Sequence, residues 1–277
     1  RTMKNLQPLD PEGLPEAVTR IQKSKVLGEK VLVHGDYDVD GITGAAIVSL
    51  TLAKLEIPYE TFLPERKRDG YGVSREAILK ARREGARLLI TVDCGISAQE
   101  EIREAREAGL EALVLDHHQI PAAGLPPAHA ILNPLQEGCP YPFKELSAGG
   151  LAFKLAQALL SSEAFEFFDL AALSTVADLA PLRGENRILV REGLRQLSER
   201  RRVGIKALSE SAHVQAREIK TSHVGFVFGP RINASGRMSS PLTALRLLLT
   251  HNFREAESLA QILEQENRQR QQEERRV

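Results

Sequence analysis

Aspartate and histidine are the residue types that could carry chemistry here, and they gather in four short clusters. The first is His34-Gly35-Asp36-Tyr37-Asp38-Val39-Asp40-Gly41, with carboxylates at alternate positions and an imidazole two residues ahead of them. Carboxylates this dense repel one another, and a polyvalent cation is the natural group to hold them together. A lone Asp-x-Asp would instead read as an acidic loop capping a helix. The second cluster, Asp93-Cys94-Gly95, taken alone reads as a helix N-cap. The third, Asp116-His117-His118, sets a carboxylate beside two imidazoles. That donor set suits a transition metal better than magnesium alone, although by itself it could be a satisfied polar corner. The fourth is Asp178, flanked by Val176 and Leu179 on an apolar helical stretch. Burying an Asp in such company is costly without a partner, and a metal is such a partner.

These clusters need elements to position them. Strand-like apolar runs occur at Val31 to Val33, Tyr59 to Leu63, Leu88 to Val92, Ala112 to Leu115 and Ala130 to Leu132. Helical patterns fall between them at Gly44 to Leu55, Ser74 to Glu84 and Ala98 to Ala108. That rhythm predicts an α/β fold, a parallel sheet with helices on both faces. The first three clusters each follow a strand directly, where open α/β sheets place their sites. Successive strand ends plus one helix, all delivering Asp or His, point to a single site. The helix from Gly41 to Leu52 adds an N-terminus suited to anions.

Beyond Ile131 a proline-rich crossing (Pro126, Pro127, Pro134, Pro140, Pro142) leads into a mostly helical part. Helices are expected near Gly149 to Leu160, Ala164 to Asp178, Glu185 to Ser198 and Pro241 to Leu249. The last stretch, from Arg254, starts amphipathic and becomes wholly polar after Gln265, a pattern that predicts a solvent-bridging or fraying helix.

Composition narrows the class. The 277 residues are 42% hydrophobic and 27% charged, which excludes disordered, collagenous and coiled-coil chains. Basic and acidic residues balance at 37 each, so the chain is no polycation and any nucleic-acid contact must come from local patches. No apolar run is long enough to span a membrane, and residues 1–19 lack a signal-peptide core. Two cysteines, Cys94 and Cys139, make no disulfide framework and suggest a reducing, cytoplasmic setting. No Gly-x-Gly-x-x-Gly follows the first strand, which excludes a Rossmann dinucleotide module.

His34 to Gly41, Asp93-Cys94-Gly95 and Asp116-His117-His118 resemble the successive motifs of the DHH phosphoesterase superfamily, and most of all the bacterial RecJ single-strand-specific 5′→3′ exonucleases. Supporting segments are Gly70-Tyr71-Gly72, Ser147 to Lys154, Asp178 to Leu182, and Gly229 to Met238, which carries Ser235 where Ala is usual. The resemblance covers about residues 25 to 250 and implies a DHH domain there. Residues 1–24 read as an N-terminal extension. Residues 251–277 read as an interdomain linker helix, with the family's second domain absent from this chain.

The resemblance implies two divalent ions, Mn2+ or Mg2+, held by His34, Asp36, Asp38, Asp40, Asp93, His117 and Asp178, with Asp93 or Asp178 bridging. Asp38, Asp93 and His118 are the implied catalytic residues. His118 would contact the scissile phosphate, assist proton transfer, or orient His117. Arg66 could hold a terminal phosphate and Tyr71 could stack on a base, while Arg231, Asn233 and Arg237 resemble backbone-phosphate contacts. Their bland alternatives are a solvated loop and a structural turn. Glu199 to Arg202 reads as solvated surface. The implied substrate is single-stranded DNA, with a single-strand-binding protein and a helicase as partners and a monomeric state. Two alternatives stay open: a phosphoesterase for pyrophosphate, short oligonucleotides or cyclic dinucleotides, and a non-catalytic DHH scaffold.

Overall fold

In the computed structural model, residues 13–65, 70 and 72–276 are described; Arg66, Lys67, Arg68 and Tyr71 lie outside them. The five strands are β1 (Lys30–Gly35), β2 (Tyr59–Phe62), β3 (Ala86–Val92), β4 (Glu111–Leu115) and β5 (Ala130–Leu132). They form one sheet in the order β2-β1-β3-β4-β5, and every pairing is parallel. Strand parity explains the continuous apolar runs. Val31, Val33, Leu88, Ile90 and Val92 face one layer, built by α1 (Leu14–Leu27), α2 (Val39–Lys54) and α5 (Ala148–Leu160). Leu32, Leu89, Ala112 and Val114 face the other, built by α3 (Arg75–Arg83) and α4 (Gln99–Glu107).

The chain leaves β1 for β2 on one side and returns to β3 on the other. The connections therefore diverge between β1 and β3, which opens a crevice at their C-terminal ends. Asp36 follows β1 and Asp93 follows β3, so the sheet topology itself sets these acids side by side.

The remaining helices are α6 (Phe168–Ala177), α7 (Gly184–Glu199), α8 (Val203–Ser211), α9 (Thr221–His223), α10 (Gly229–Met238), α11 (Leu242–Leu249) and α12 (Phe253–Glu274). A 3₁₀ turn over Ser161–Phe167 precedes α6, and a π-helical turn over Val224–Phe228 joins α9 to α10. Layers and helical remainder agree with the sequence reading, with four differences. The expected boundary at residue 24 falls inside α1, whose Leu14, Ala17 and Ile21 are buried in the main core. The segment Gly229 to Met238, rich in Gly, Asn and Ser, is a helix rather than a turn, because packing overrides its weak propensity. The terminal helix, though polar, is not solvated on every side: Glu266 and Asn267 are buried, bonded to Ser239 Oγ and the Arg270 guanidinium. Arg202, expected on solvated surface, forks onto Asp169 at 2.6 and 3.0 Å.

Among the described residues no helix is long and apolar enough to cross a membrane. Where α8 crosses α11, the space at Gly204 is already filled by the Leu247 carbonyl. Gly204→Ala is therefore expected to cost about 1–3 kcal/mol of stability, the usual range for overpacking. Denaturant unfolding measures it, and a variant as stable as the parent would contradict this packing.

Candidate metal centre

The loop after β1 is shaped by close contact. A Cβ at Gly41 would sit 2.5 Å from the Asp36 nitrogen, so only glycine lets α2 start this near the loop. Asp38 caps α2 by accepting the Gly41 N–H at 3.0 Å. Asp40, in the first turn, is pinned from the far side. Its carboxylate accepts the Ala148 and Gly149 N–H groups, each at 2.8 Å, and the Ser174 hydroxyl at 2.6 Å. On the outer side Asn233 Oδ1 accepts the Val39 N–H at 2.9 Å, and a Cβ at Gly236 would collide with the Tyr37 carbonyl.

After β3, Asp93 takes a left-handed backbone with φ of 63°, and its N–H extends the ladder to the Leu115 carbonyl at 2.9 Å. A non-glycine residue in this region is strained, and such strain gathers at functional sites. The N-cap reading of Asp93 fails: α4 begins at Gln99 with no side-chain cap, and the Ile96 N–H is taken by Asp116 at 2.9 Å. After β4, Asp116 is buried and holds His118 through the backbone N–H at 3.1 Å and Nδ1 at 2.7 Å. Asp178 ends α6.

These side chains converge. Asp36, Asp38 and Asp93 form one donor set; Asp93, His117 and His118 a second; Asp40, His117 and Asp178 a third, with donor atoms in each within 4.8 Å of one another. Asp93 and His117 are each shared by two sets. His117 Nε2 lies 3.2 Å from Asp93 Oδ1 and 3.5 Å from Asp40 Oδ2, and its Nδ1 lies 3.9 Å from Asp178. The Asp93 contact is short but misaligned, so both atoms are buried without a hydrogen bond, as is Asp36 Oδ1. Orphaned buried donors and acceptors cost free energy unless something else binds them. Carboxylate oxygens with one imidazole make a set that divalent cations of the manganese and magnesium kind accept.

Burial, only partly opposed by the Tyr37 N–H, pushes Asp36 up to about 7. Burial and then the Asp40 charge push Asp178 to about 6. Asp93 is driven well above the carboxylate range by burial and by its Asp neighbours, and burial likewise raises Asp40. Asp116 goes the other way: burial would raise it, but the His118 and Ile96 hydrogen bonds prevail. The same Asp116 bond raises His118, whose side chain is 47% exposed.

Not every residue implied by the resemblance joins these sets. His34 is fully buried; its Nε2 accepts the Ser74 N–H at 3.0 Å and its Nδ1 lies 3.8 Å from Cys94 Sγ. Arg231 gives its guanidinium to Glu264 at 2.6 Å and to the Val227 carbonyl at 2.9 Å. Arg237, on the last turn of α10, is exposed. Arg66 and Tyr71 fall outside the described residues. Sequence reasoning missed Ser174 as the anchor of Asp40 and Asp116 as the anchor of His118. Ser174 lies four residues before Asp178 on α6 and had no local signal of its own.

A parallel sheet with acids at successive strand ends, closed by an Asp from a helix, defines an α/β domain with a candidate metal centre at its crevice. The chain belongs to the DHH family: the model of its N-terminal domain matches residues 30–180. The chain is similar to the single-stranded-DNA-specific exonuclease RecJ of Bacillus subtilis, at 41% identity over 95% of this chain and 34% of that protein. Its likeness to Escherichia coli RecJ is 38% identity over 98% of this chain and 50% of that protein. The chain thus spans a third to a half of these relatives. A crystal structure of exonuclease RecJ bound to manganese superposes with a TM-score of 0.87 at 39% identity, covering 96% of this chain and 68% of that one. RecJ from Thermus thermophilus in complex with Mn2+ gives 0.84 at 37% identity, covering 96% and 39%.

The electrostatics have a sign. Asp36 near 7 and Asp178 near 6 hold protons more tightly in the folded chain than in the unfolded one. Their contribution to metal-free stability is full below about pH 4 and is lost as pH rises through roughly 6 to 7. Thermal melts in chelator should therefore show the parent losing stability relative to Asp36→Asn between about pH 5 and 8. A parent that gains on the variant over that range contradicts the arrangement.

Proposed function

We propose that this chain is the catalytic core of a two-metal exonuclease that hydrolyses single-stranded DNA from the 5′ end to 5′-mononucleotides, in cytoplasmic DNA repair and recombination. The observation that carries the proposal is the three donor sets linked through Asp93 and His117, with buried donor atoms lacking hydrogen bonds. The similarity to relatives named single-stranded-DNA-specific exonucleases supports the polymer and its cleavage from an end, and the 5′ polarity follows from the motif resemblance.

In this reading Asp36, Asp38 and Asp93 hold one ion, and Asp40, His117 and Asp178 hold the other. When bound, such ions would lower the pKa of the attacking water and neutralise negative charge developing on the phosphoryl and leaving oxygens. The chain's own groups do the rest. Ser174 and the α5 N-terminus keep Asp40 aimed at the crevice, and Asn233 keeps the loop from drifting. His118, half-exposed and oriented by Asp116, contacts the scissile phosphate or passes a proton to the leaving oxygen. Arg237 offers an exposed fork to a backbone phosphate upstream. His34 sits behind the loop and steadies the approach to α3 through Ser74.

The deciding experiment incubates 5′-labelled and 3′-labelled single strands, a duplex and pyrophosphate with the protein and manganese. Early release of the 5′ label as mononucleotide, from the single strand alone, is expected. Hydrolysis of pyrophosphate alone, or first release of the 3′ label, would overturn the reading. Within it, His118→Ala should cut turnover about 10²-fold or more while sparing manganese affinity. His117→Ala should weaken manganese binding instead. Calorimetry with manganese separates them, and equal loss of affinity in both would contradict the division of roles.

A further inference from the structure

We propose that Phe226 and Leu179 form an apolar platform on which the bases of a bound single strand rest, a proposal that depends on the single-strand reading above. Both are large apolar side chains left in water: Leu179 is 87% and Phe226 82% exposed. Single exposed apolar residues are ordinary, so their placement must carry the argument.

Leu179 directly follows Asp178, one of the site acids. It adopts a left-handed backbone with φ of 58°, closed by the Ala180 N–H to the Thr175 carbonyl at 3.1 Å. Helix ends of this kind normally take glycine, because a side chain there is strained. Here the strained position holds a leucine and turns it outward at the edge of the metal centre.

Phe226 stands on the element that packs beside the end of α6. It lies in the π-helical turn Val224–Phe228, whose Val224 and Phe228 are buried, so Phe226 faces away from the core. Such turns recur at functional sites. The turn packs on α6, and a Cβ at Gly229 would lie 3.9 Å from Ala177, the residue before Asp178. Within α10, positions 230, 233 and 237 follow the spacing i, i+3, i+7 of one helix face, and Phe226 precedes them on the π-helical turn. The middle of that face touches the metal loop, where Asn233 bonds Val39. Phe226 lies before the N-terminal end of that face and the exposed Arg237 at its C-terminal end.

An aromatic at one end, an arginine at the other and the acids between them is the makeup of a single-strand groove. Phosphates go to cations, and bases stack sequence-tolerantly on the aromatic face. The bases are the favoured occupant because the platform is continuous with the site that would cut their backbone. A polypeptide covering the patch is the alternative that the test must reject.

The test measures binding of a dT oligonucleotide and of an equally long abasic strand by fluorescence anisotropy, with melting curves to check folding. Phe226→Ala should weaken dT binding about tenfold, the scale of one lost stacking contact, and that penalty should vanish on the abasic strand. Phe226→Trp should restore it. Leu179→Gly relieves the strained backbone, so it should melt no lower than the parent yet still lose affinity for dT. Equal loss on both strands, or none, overturns the platform and leaves the exonuclease reading intact. A parent that binds neither strand overturns both.

Discussion

Mutual repulsion among buried carboxylates is the constraint on which the rest of this structure depends. Asp36, Asp38, Asp40, Asp93 and Asp178 converge on one crevice, and Asp36, Asp40 and Asp93 are almost wholly buried. A cluster of that kind holds its protons or holds cations. The upward displacement of Asp36, Asp93 and Asp178 is the electrostatic record of that choice. The unbonded atoms of Asp36, Asp93 and His117 are its geometric record. Both describe a site that is incomplete as bare protein.

Much of the surrounding architecture keeps the crowded acids in place. The sheet order separates the connections after β1 and β3 and so creates the crevice. Glycines at 41 and 236 let α2 and α10 press against the loop after β1, and Gly149 lets α5 press against Ser174 of α6. Hydrogen bonds then fix what sterics permit. Ser174 and the α5 amides hold Asp40, Asp116 holds His118, and Asn233 holds the loop itself. Asp116 and Asp93 are neighbouring acids pushed in opposite directions, one by donated hydrogen bonds and the other by burial and like charges. Acids separated in this way can take separate roles, positioning and ligation.

The sheet, its helices and the convergence of the acid clusters were legible in the sequence because they rest on local patterns. Apolar runs end in Asp or His at three strand ends, and each pattern is short and local in the chain. What stayed hidden depends on contacts far apart in the chain. Asn233 reads as a polar residue in a glycine-rich turn until α10 is seen lying across Val39, 194 positions away. Arg231 reads as a backbone-phosphate contact, and nothing near it in the chain shows that Glu264 lies beside it. Glu266 and Asn267 read as solvated because periodicity cannot reveal that they are buried, with Ser239 and Arg270 each giving one of them a hydrogen bond. Polar residues mislead in this way because their partners, not their types, decide where they lie.

The central claim is that these acids are held apart from their protons by divalent ions. Titration calorimetry of manganese into the protein near pH 6.5, repeated in buffers of different ionisation enthalpy, counts the protons released on binding. Net release that shrinks toward zero as the pH is raised above about 8 is the expected result, since ligands must deprotonate to bind. Manganese binding without proton release near pH 6.5, or no binding at all, would contradict it.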